Sequence, residues 1–219
     1  MVANESLSTQ FGLHAQDPLH LLQKLFKFLR DFELNPELKC GFASSSAMHF
    51  KNLVVNGRDI WKLIGNASND KQNCKISEKI YSEDVIGHFE AQDDVNKKFT
   101  GWLLRCSRNI FDAFVNPDGE VGKRVEKFYC VLFFYRGWKR WLLRERMGRQ
   151  RNMCSSNAFA CLEILGQCLI GFIRYARENG IPIKPWDISS QKPEGVFRLS
   201  RANTPRFSNR SSMDIVDFS

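Results

Sequence analysis

The chain has 219 residues, 43% apolar and 26% charged, a globular composition with enough apolar residues for a core, which excludes a disordered polar chain. Its formal charge is +8 and uneven: Arg136 to Arg210 holds 15 basic and 5 acidic residues, which leaves 17 basic against 19 acidic elsewhere. A polyanionic partner is therefore expected for the C-terminal third.

No secretory signal is legible in Met1 to Gln10. The longest apolar runs, Val131–Phe134 and Leu169–Phe172, fall short of the ~20 residues of a membrane span. No membrane partner is expected. Seven cysteines without a C-x-x-C pair suggest reduced thiols of the cytosol or nucleus.

Phe11 to Gln16 reads as a short strand. Asp17-Pro18 opens an amphipathic helix in which Leu19, Leu22, Leu25, Phe26 and Leu29 recur at helical spacing. Residues 40–75 are mixed, with a turn at Asn56-Gly57 and a polar loop over Asn66–Asn73. Ser77 is the expected N-cap of a helix over Glu78–Ala91. A further helix is predicted over Asp94–Val115, stopped by the turn Asn116-Pro117-Asp118-Gly119. A long aromatic-rich helix follows over Glu120–Met147, then a basic loop, Gly148–Met153. Ser155, Ser156 or Asn157 caps a last helix ending near Asn179, with Gly180 at its boundary and Pro182 beyond. Pro182, Pro185, Pro193 and Pro205 make the remainder irregular. Five or so helices with little strand give a mainly α fold.

Several residues carry two readings. Asp17-Pro18 is a good N-cap and first helical position. The cap is the first reading on local spacing; the alternative makes Asp17 an acidic metal ligand at the end of a strand, with His20 one turn along the following helix. Cys154, Cys161 and Cys168, spaced by seven, stack on one helix face and read as small core residues rather than ligands. The aromatics Phe128, Tyr129, Phe133, Phe134, Tyr135, Trp138 and Trp141 read mostly as core, against a base-stacking platform as the alternative. Arg136, Lys139, Arg140, Arg144, Arg146, Arg149 and Arg151 meet one acid in their own run, Glu145, and suit either a solvated face or a phosphate-backbone surface. Glu194 reads locally as an acid in the first turn of a helix. Phosphate-cradling glycine loops, G-x-S-x-G and H-E-x-x-H are absent from the sequence, so ATPase, serine-hydrolase and zinc-protease readings lose support.

Four segments in order resemble eukaryotic cut-and-paste transposases, best the P-element-like group with an RNase H-like catalytic domain. Gln16-Asp17-Pro18-Leu19-His20, followed by a helix with Lys24, resembles their QDPxH…K segment. Asp70-Lys71-Gln72-Asn73 resembles DxQN in their helical insertion. Ser155-Ser156-Asn157-Ala158-Phe159-Ala160-Cys161-Leu162-Glu163-Ile164 resembles SSNAYxCIEL. Ser190-Gln191, Glu194, Phe197-Arg198, Arg201, Thr204 and Phe207-Ser208 resemble SQxxExxFRxxRSxTxxFS.

The resemblance implies a division: 1–10 disordered, 11–30 a fragment of the RNase H-like core with the second acid, 31–180 the helical insertion, and 181–219 the C-terminal core segment with the third acid. The fold class it implies is a mainly α insertion bundle plus a fragment of an RNase H-like α/β domain. Asp17 and Glu194 would be catalytic carboxylates and ligands of Mg²⁺ or Mn²⁺, serving metal-dependent DNA cleavage and transfer. Arg198 and Arg201 would join the DNA-facing cations of 136–151. The stretch before Asp17 is too short for the strand bearing the family's first acid, so a truncated DDE-type remnant, inactive alone, is expected. DNA in the nucleus is the expected partner, with a second copy or the missing N-terminal half as further partners. The alternative is a non-catalytic, domesticated helical module that binds DNA or a protein.

Overall fold

The computed structural model describes Pro18, Leu21, Leu22, Lys24 and Leu25 and residues 37–69, 78–148 and 152–185, with backbone alone over 65–69. Over these residues the protein is mainly helical. Two short antiparallel hairpins come first: β1 (Leu38–Cys40) with β2 (Ala43–Ser45), and β3 (Val54–Val55) with β4 (Arg58–Asp59). A 3-10 turn, Ala47–Phe50, lies between them. Five helices follow: α1 (Ile60–Asn69), α2 (Glu83–Glu90), α3 (Val95–Phe114), α4 (Val121–Arg144) and α5 (Ser156–Glu178).

The expected turn at Asn56-Gly57 closes the second hairpin. Both residues have positive φ, 50° and 71°, as the tightest two-residue turn requires. The polar loop expected over Asn66–Asn73 is corrected: Asn66 to Asn69 belong to α1. Asp59 Oδ1 accepts from Lys62 N at 3.0 Å, and Ile60 and Ile64, one turn apart, are both buried. A capped, anchored first turn carries the weak helix formers after it. The helix expected over Glu78–Ala91 is broken at Tyr81–Ser82. Ser82 is extended and α2 starts at Glu83, with Glu83 and Asp84 complementing its positive end.

The three long helices lie close to their expected bounds. Asp94 caps α3 by accepting from Asn96 N at 2.8 Å, and Ser155 caps α5 by accepting from Ala158 N at 3.1 Å. Past α5, Ile181 N donates to Ala176 O at 2.8 Å and Gly180 N to Arg177 O at 3.5 Å, a Schellman closure. α4 ends at Arg144, three residues before the expected Met147. The same closure forms there, Met147 N to Leu142 O at 3.0 Å and Arg146 N to Leu143 O at 3.2 Å. Met147 then packs half-buried on the core, the apolar contact that usually accompanies this motif.

α3 and α4 form an antiparallel pair, with Phe114 edge-on to Phe128 at 5.1 Å near the turn and Phe99 edge-on to Trp138 at 5.7 Å at the far end. Arg124, 3% exposed, fixes the turn between them. Its guanidinium donates to the carbonyls of Asp112 (2.8 Å), Ala113 (3.3 Å), Pro117 (2.9 Å), Asp118 (2.9 Å) and Gly119 (3.2 Å). The orphan carbonyls at the end of α3 are thus satisfied by a cation, which also complements that helix's negative end. Gly119 has φ +123°, and a Cβ there would stand 3.8 Å from the same guanidinium.

Polar contacts tie the first hairpin to the helices. Trp138 Nε1 donates to Lys39 O at 2.7 Å. Ser44 N donates to Asn96 Oδ1 at 2.8 Å. The hydroxyls of Ser45 and Thr100, both buried, are 2.8 Å apart, and His49 Nδ1 lies 2.7 Å from Thr100 Oγ1. Thr100 Oγ1 also lies 3.2 Å from Asn96 O, so these contacts join the first hairpin, the 3-10 turn and α3 in one polar cluster. Leu21, Leu22 and Leu25, in helical conformation, are buried in the core, as their spacing leads one to expect for Leu22 and Leu25.

The expectation about apolar length needs one correction. α5, with 23 residues, is long and apolar enough by length and composition to cross a membrane. Its apolarity has a place in the fold, since Ala158, Leu162, Leu165 and Leu169 are fully buried in the core shared with α4.

Arg124→Met should lower stability by about 2–4 kcal/mol in urea denaturation, because several carbonyls lose a charged donor at once. A second expectation concerns pH. Burial lowers the pKa of His49 from 6.5, against an opposing contribution from Asp94. As pH falls through 6.5 the unfolded chain takes up a proton that the folded one resists, so stability drops between pH 7 and the lower folded value. Urea midpoints at neutral and mildly acidic pH should show this drop, and His49→Gln should flatten it.

Candidate nucleic-acid groove

The described cations of the run, Arg136 to Arg146, fall on the C-terminal half of α4 and just past its end. α4 packs antiparallel on α5, and the contacts advance along one helix as they recede along the other. Near the middle, Tyr129 OH donates to Gly166 O at 3.2 Å, and a Cβ at Gly166 would sit 3.1 Å from Phe128 and 3.2 Å from Leu132. A side chain there would require Phe128 and Leu132 to shift by a few tenths of an ångström. One turn on, Arg136 Nε donates to Glu163 Oε1 at 2.8 Å while Nη2 donates to Oε2, a bidentate pair. Further on, Lys139 Nζ lies 4.6 Å from the ring centre of Phe159.

Outside these contacts the two helices form a cleft of about 660 Å³. Gly137 and Phe159 lie along it, with Phe133 and Leu143 as apolar walls. Arg136, Lys139 and Arg140 supply positive charge, and Glu163 the single acid among the lining residues. Phe133 is 59% exposed and Leu143 66%. On α4 the series Tyr129, Phe133, Arg136, Arg140, Leu143 repeats every three and four residues, which puts ring, cations and leucine on one stripe.

The cations are not equivalent. Arg136 is bound to Glu163, whose carboxyl it holds below the usual carboxylate range through their hydrogen bonds; the pairing raises the guanidinium in turn. Arg136 also lies 5.7 Å from the ring centre of Phe133. Arg144 pairs with Glu145 at 3.0 Å. Lys139 and Arg140 form no ion pair among the described residues. Arg146 is the left-handed residue of the α4 closure, with φ +53°.

Arg136, Lys139 and Arg140 are therefore brought to one cleft, while Arg144 and Arg146 lie beyond its lining. Asp17, His20, Arg149, Arg151, Glu194, Arg198 and Arg201 lie outside the described residues. Two features of the cleft escape the sequence reading. Glu163 comes from the next helix, so counting acids within the run misses it. Phe133 is solvent-exposed, whereas Phe128, Tyr135 and Trp138 are buried and Tyr129, Phe134 and Trp141 half-buried as a core reading expects.

Cys154 and Cys161 are buried thiols and Cys168 is half-buried, none of them in a disulfide, in line with small core residues. Burial pushes the Cys168 thiol up, and that of Cys106 far up, which makes poor nucleophiles of both. Among the described residues no group of three or more His, Cys, Asp or Glu side chains is placed to hold a metal ion. Comparison with family models, curated proteins and solved structures finds no match.

Arg146→Gly should raise stability by up to about 1 kcal/mol, because the left-handed position strains any side chain that carries a Cβ. Thermal melts of the variant beside the native chain check this. A melting temperature that falls would mean the Arg146 side chain makes contacts that outweigh its strain.

Proposed function

We propose that this chain is a transposase-derived polypeptide, related to metal-dependent DNA cleavage and transfer, whose helical part holds DNA in the groove between α4 and α5. The observation that carries the DNA half is the placement of Arg136, Lys139 and Arg140 on one open cleft, two of them without an acidic partner among the described residues. Cations so placed neutralise phosphates and release counterions, which drives association. The catalytic half rests on the resemblance at Asp17 and Glu194 and on the preference of Mg²⁺ and Mn²⁺ for carboxylate oxygens. A metal bound there would activate water or a 3′-hydroxyl at a DNA phosphate. The RNase H-like fragment, the nuclear location and a second copy or separate N-terminal half as partner belong to the same reading.

A second reading has one observation in its favour. Among the described residues the groove is lined from α4 and α5 alone, and its cations can serve DNA binding without any part in a catalytic centre. A non-catalytic, domesticated DNA-holding module needs nothing more.

Fluorescence anisotropy with labelled DNA, offered both as duplex and as single strand, tests the DNA claim. Affinity should fall steeply with salt, and Lys139→Glu with Arg140→Glu should lower the slope of log affinity against log salt by about 2, one for each phosphate no longer neutralised. Salt-independent binding, or none to either form, removes it. Calorimetry with Mn²⁺ separates the two readings: heat abolished by Asp17→Ala and by Glu194→Ala supports the catalytic one, and DNA binding without such heat selects the module.

A further inference from the structure

We propose that the groove takes an unpaired nucleotide, with its base stacked on Phe133 and its phosphate held by Lys139 and Arg140. This rests on the nucleic-acid reading above and names which form of nucleic acid the cleft is shaped for.

Three observations point the same way. The first is Phe133. A duplex offers a protein its phosphates and the edges of its bases, and cations alone suffice for the phosphates. An open phenyl ring on the wall of a cationic cleft adds little to that contact, but it is the surface on which an unpaired base stacks. Phe133 is 59% exposed. Tyr129 lies 5.9 Å from it centre to centre and Arg136 5.7 Å, so the ring is braced by neighbours while a large part of it stays open.

The second is Gly137, one turn beyond Phe133. Glycine inside a helix costs about 1 kcal/mol relative to alanine. Packing does not require it here, since a Cβ at Gly137 would meet nothing within 4 Å. What its small size does is leave the cleft open between Phe133 and Leu143. A flat group resting on the ring of Phe133 would occupy that space. The volume of about 660 Å³ suits a small-molecule-sized occupant rather than the shoulder of a duplex.

The third is the position of the charge. Lys139 and Arg140 follow Phe133 by six and seven residues, so ring and unpaired cations sit about two turns apart along one helix. The backbone positions are thus roughly 10 Å apart along the axis, a gap that the long Lys139 and Arg140 side chains can shorten to hold a phosphate beside a base stacked on Phe133. Glu163, on the opposite side, holds and neutralises Arg136, which leaves Lys139 and Arg140 as the lining cations without an acidic partner among the described residues, enough for one row of phosphates. A duplex presents two such rows.

The test compares the full-length chain bound to a labelled twelve-residue oligothymidylate and to a duplex of twelve base pairs, at one salt concentration. The native chain should bind the single strand more tightly. Phe133→Leu keeps the apolar volume and removes the π-face; Gly137→Leu fills the cleft without touching the core. Each should weaken single-strand binding by about 5- to 100-fold, the range expected for removing one base–aromatic stack, while duplex affinity stays within about twofold. Far-UV circular dichroism and melting temperature confirm that both variants fold. Equal binding of both DNA forms, unaffected by either variant, overturns the stacking proposal and leaves the DNA reading standing. Absence of salt-dependent binding to either form overturns both. Displacement of the oligothymidylate by an acidic, phenylalanine-bearing peptide at lower concentration than by unlabelled oligothymidylate overturns the proposal in favour of a protein ligand.

Discussion

Five carbonyl oxygens converge on the guanidinium of Arg124, and the arrangement of the long helices follows from that convergence. A helix end leaves carbonyls that must find donors, and a turn of four residues leaves more. One planar cation satisfies both sets from the first turn of the following helix. It thereby ends α3, shapes the turn and sets where α4 begins. With the start of α4 fixed, its rotation is fixed too. Phe128, Val131, Leu132, Tyr135, Trp138 and Leu142 face inward, and the stripe through Phe133, Arg136, Arg140 and Leu143 faces the cleft.

The same side chain shows why a charge count overstates what a partner meets. Arg124 is a cation of α4, yet it is buried and committed to carbonyls. Burial lowers its pKa, with Asp112 and Asp118 opposing. Lys127 is engaged with Asp112, Arg136 with Glu163 and Arg144 with Glu145. What α4 offers in the cleft without an acidic partner among the described residues is Lys139 and Arg140. Local neutralisation makes the surface selective: two cations beside an open ring form a site, whereas a uniformly positive face would attract any polyanion.

The helices were legible because their signals were redundant. α3 had an Asp cap, a long periodic stretch and a Pro-Asp-Gly stop; α5 had serines at one end and Gly180 at the other. The misses came where a single signal was overridden. The Asn-rich end of α1 looked like a loop, but the helix was nucleated upstream by Asp59, Ile60 and Ile64. The helix over Glu78–Ala91 looked continuous, but two acids at Glu83 and Asp84 favour a new start. α4 was expected to reach Met147, but a residue with a side chain, Arg146, took the left-handed position more often held by glycine. The first hairpin, held by Trp138 and by the Ser45–Thr100–His49 contacts, carries no comparable local signal, because its partners lie fifty to a hundred residues away.

For the site the division is similar. The sequence by itself determined the mainly α character, the density of cations after Arg136 and the presence of Asp17 and Glu194 in segments resembling a transposase, since composition, periodicity and local motifs are properties of neighbouring residues. It could not determine which cations remain available, because their acidic partner Glu163 lies on another helix, nor that Phe133 alone of the seven aromatics faces solvent, because helical spacing marks most of them as core. Both were decided by the packing of α4 on α5, where Gly166 lies against Phe128 and Leu132 and Lys139 and Phe159 border the cleft beyond it. A groove belongs to two helices at once, so its shape and net charge exist only after they have packed.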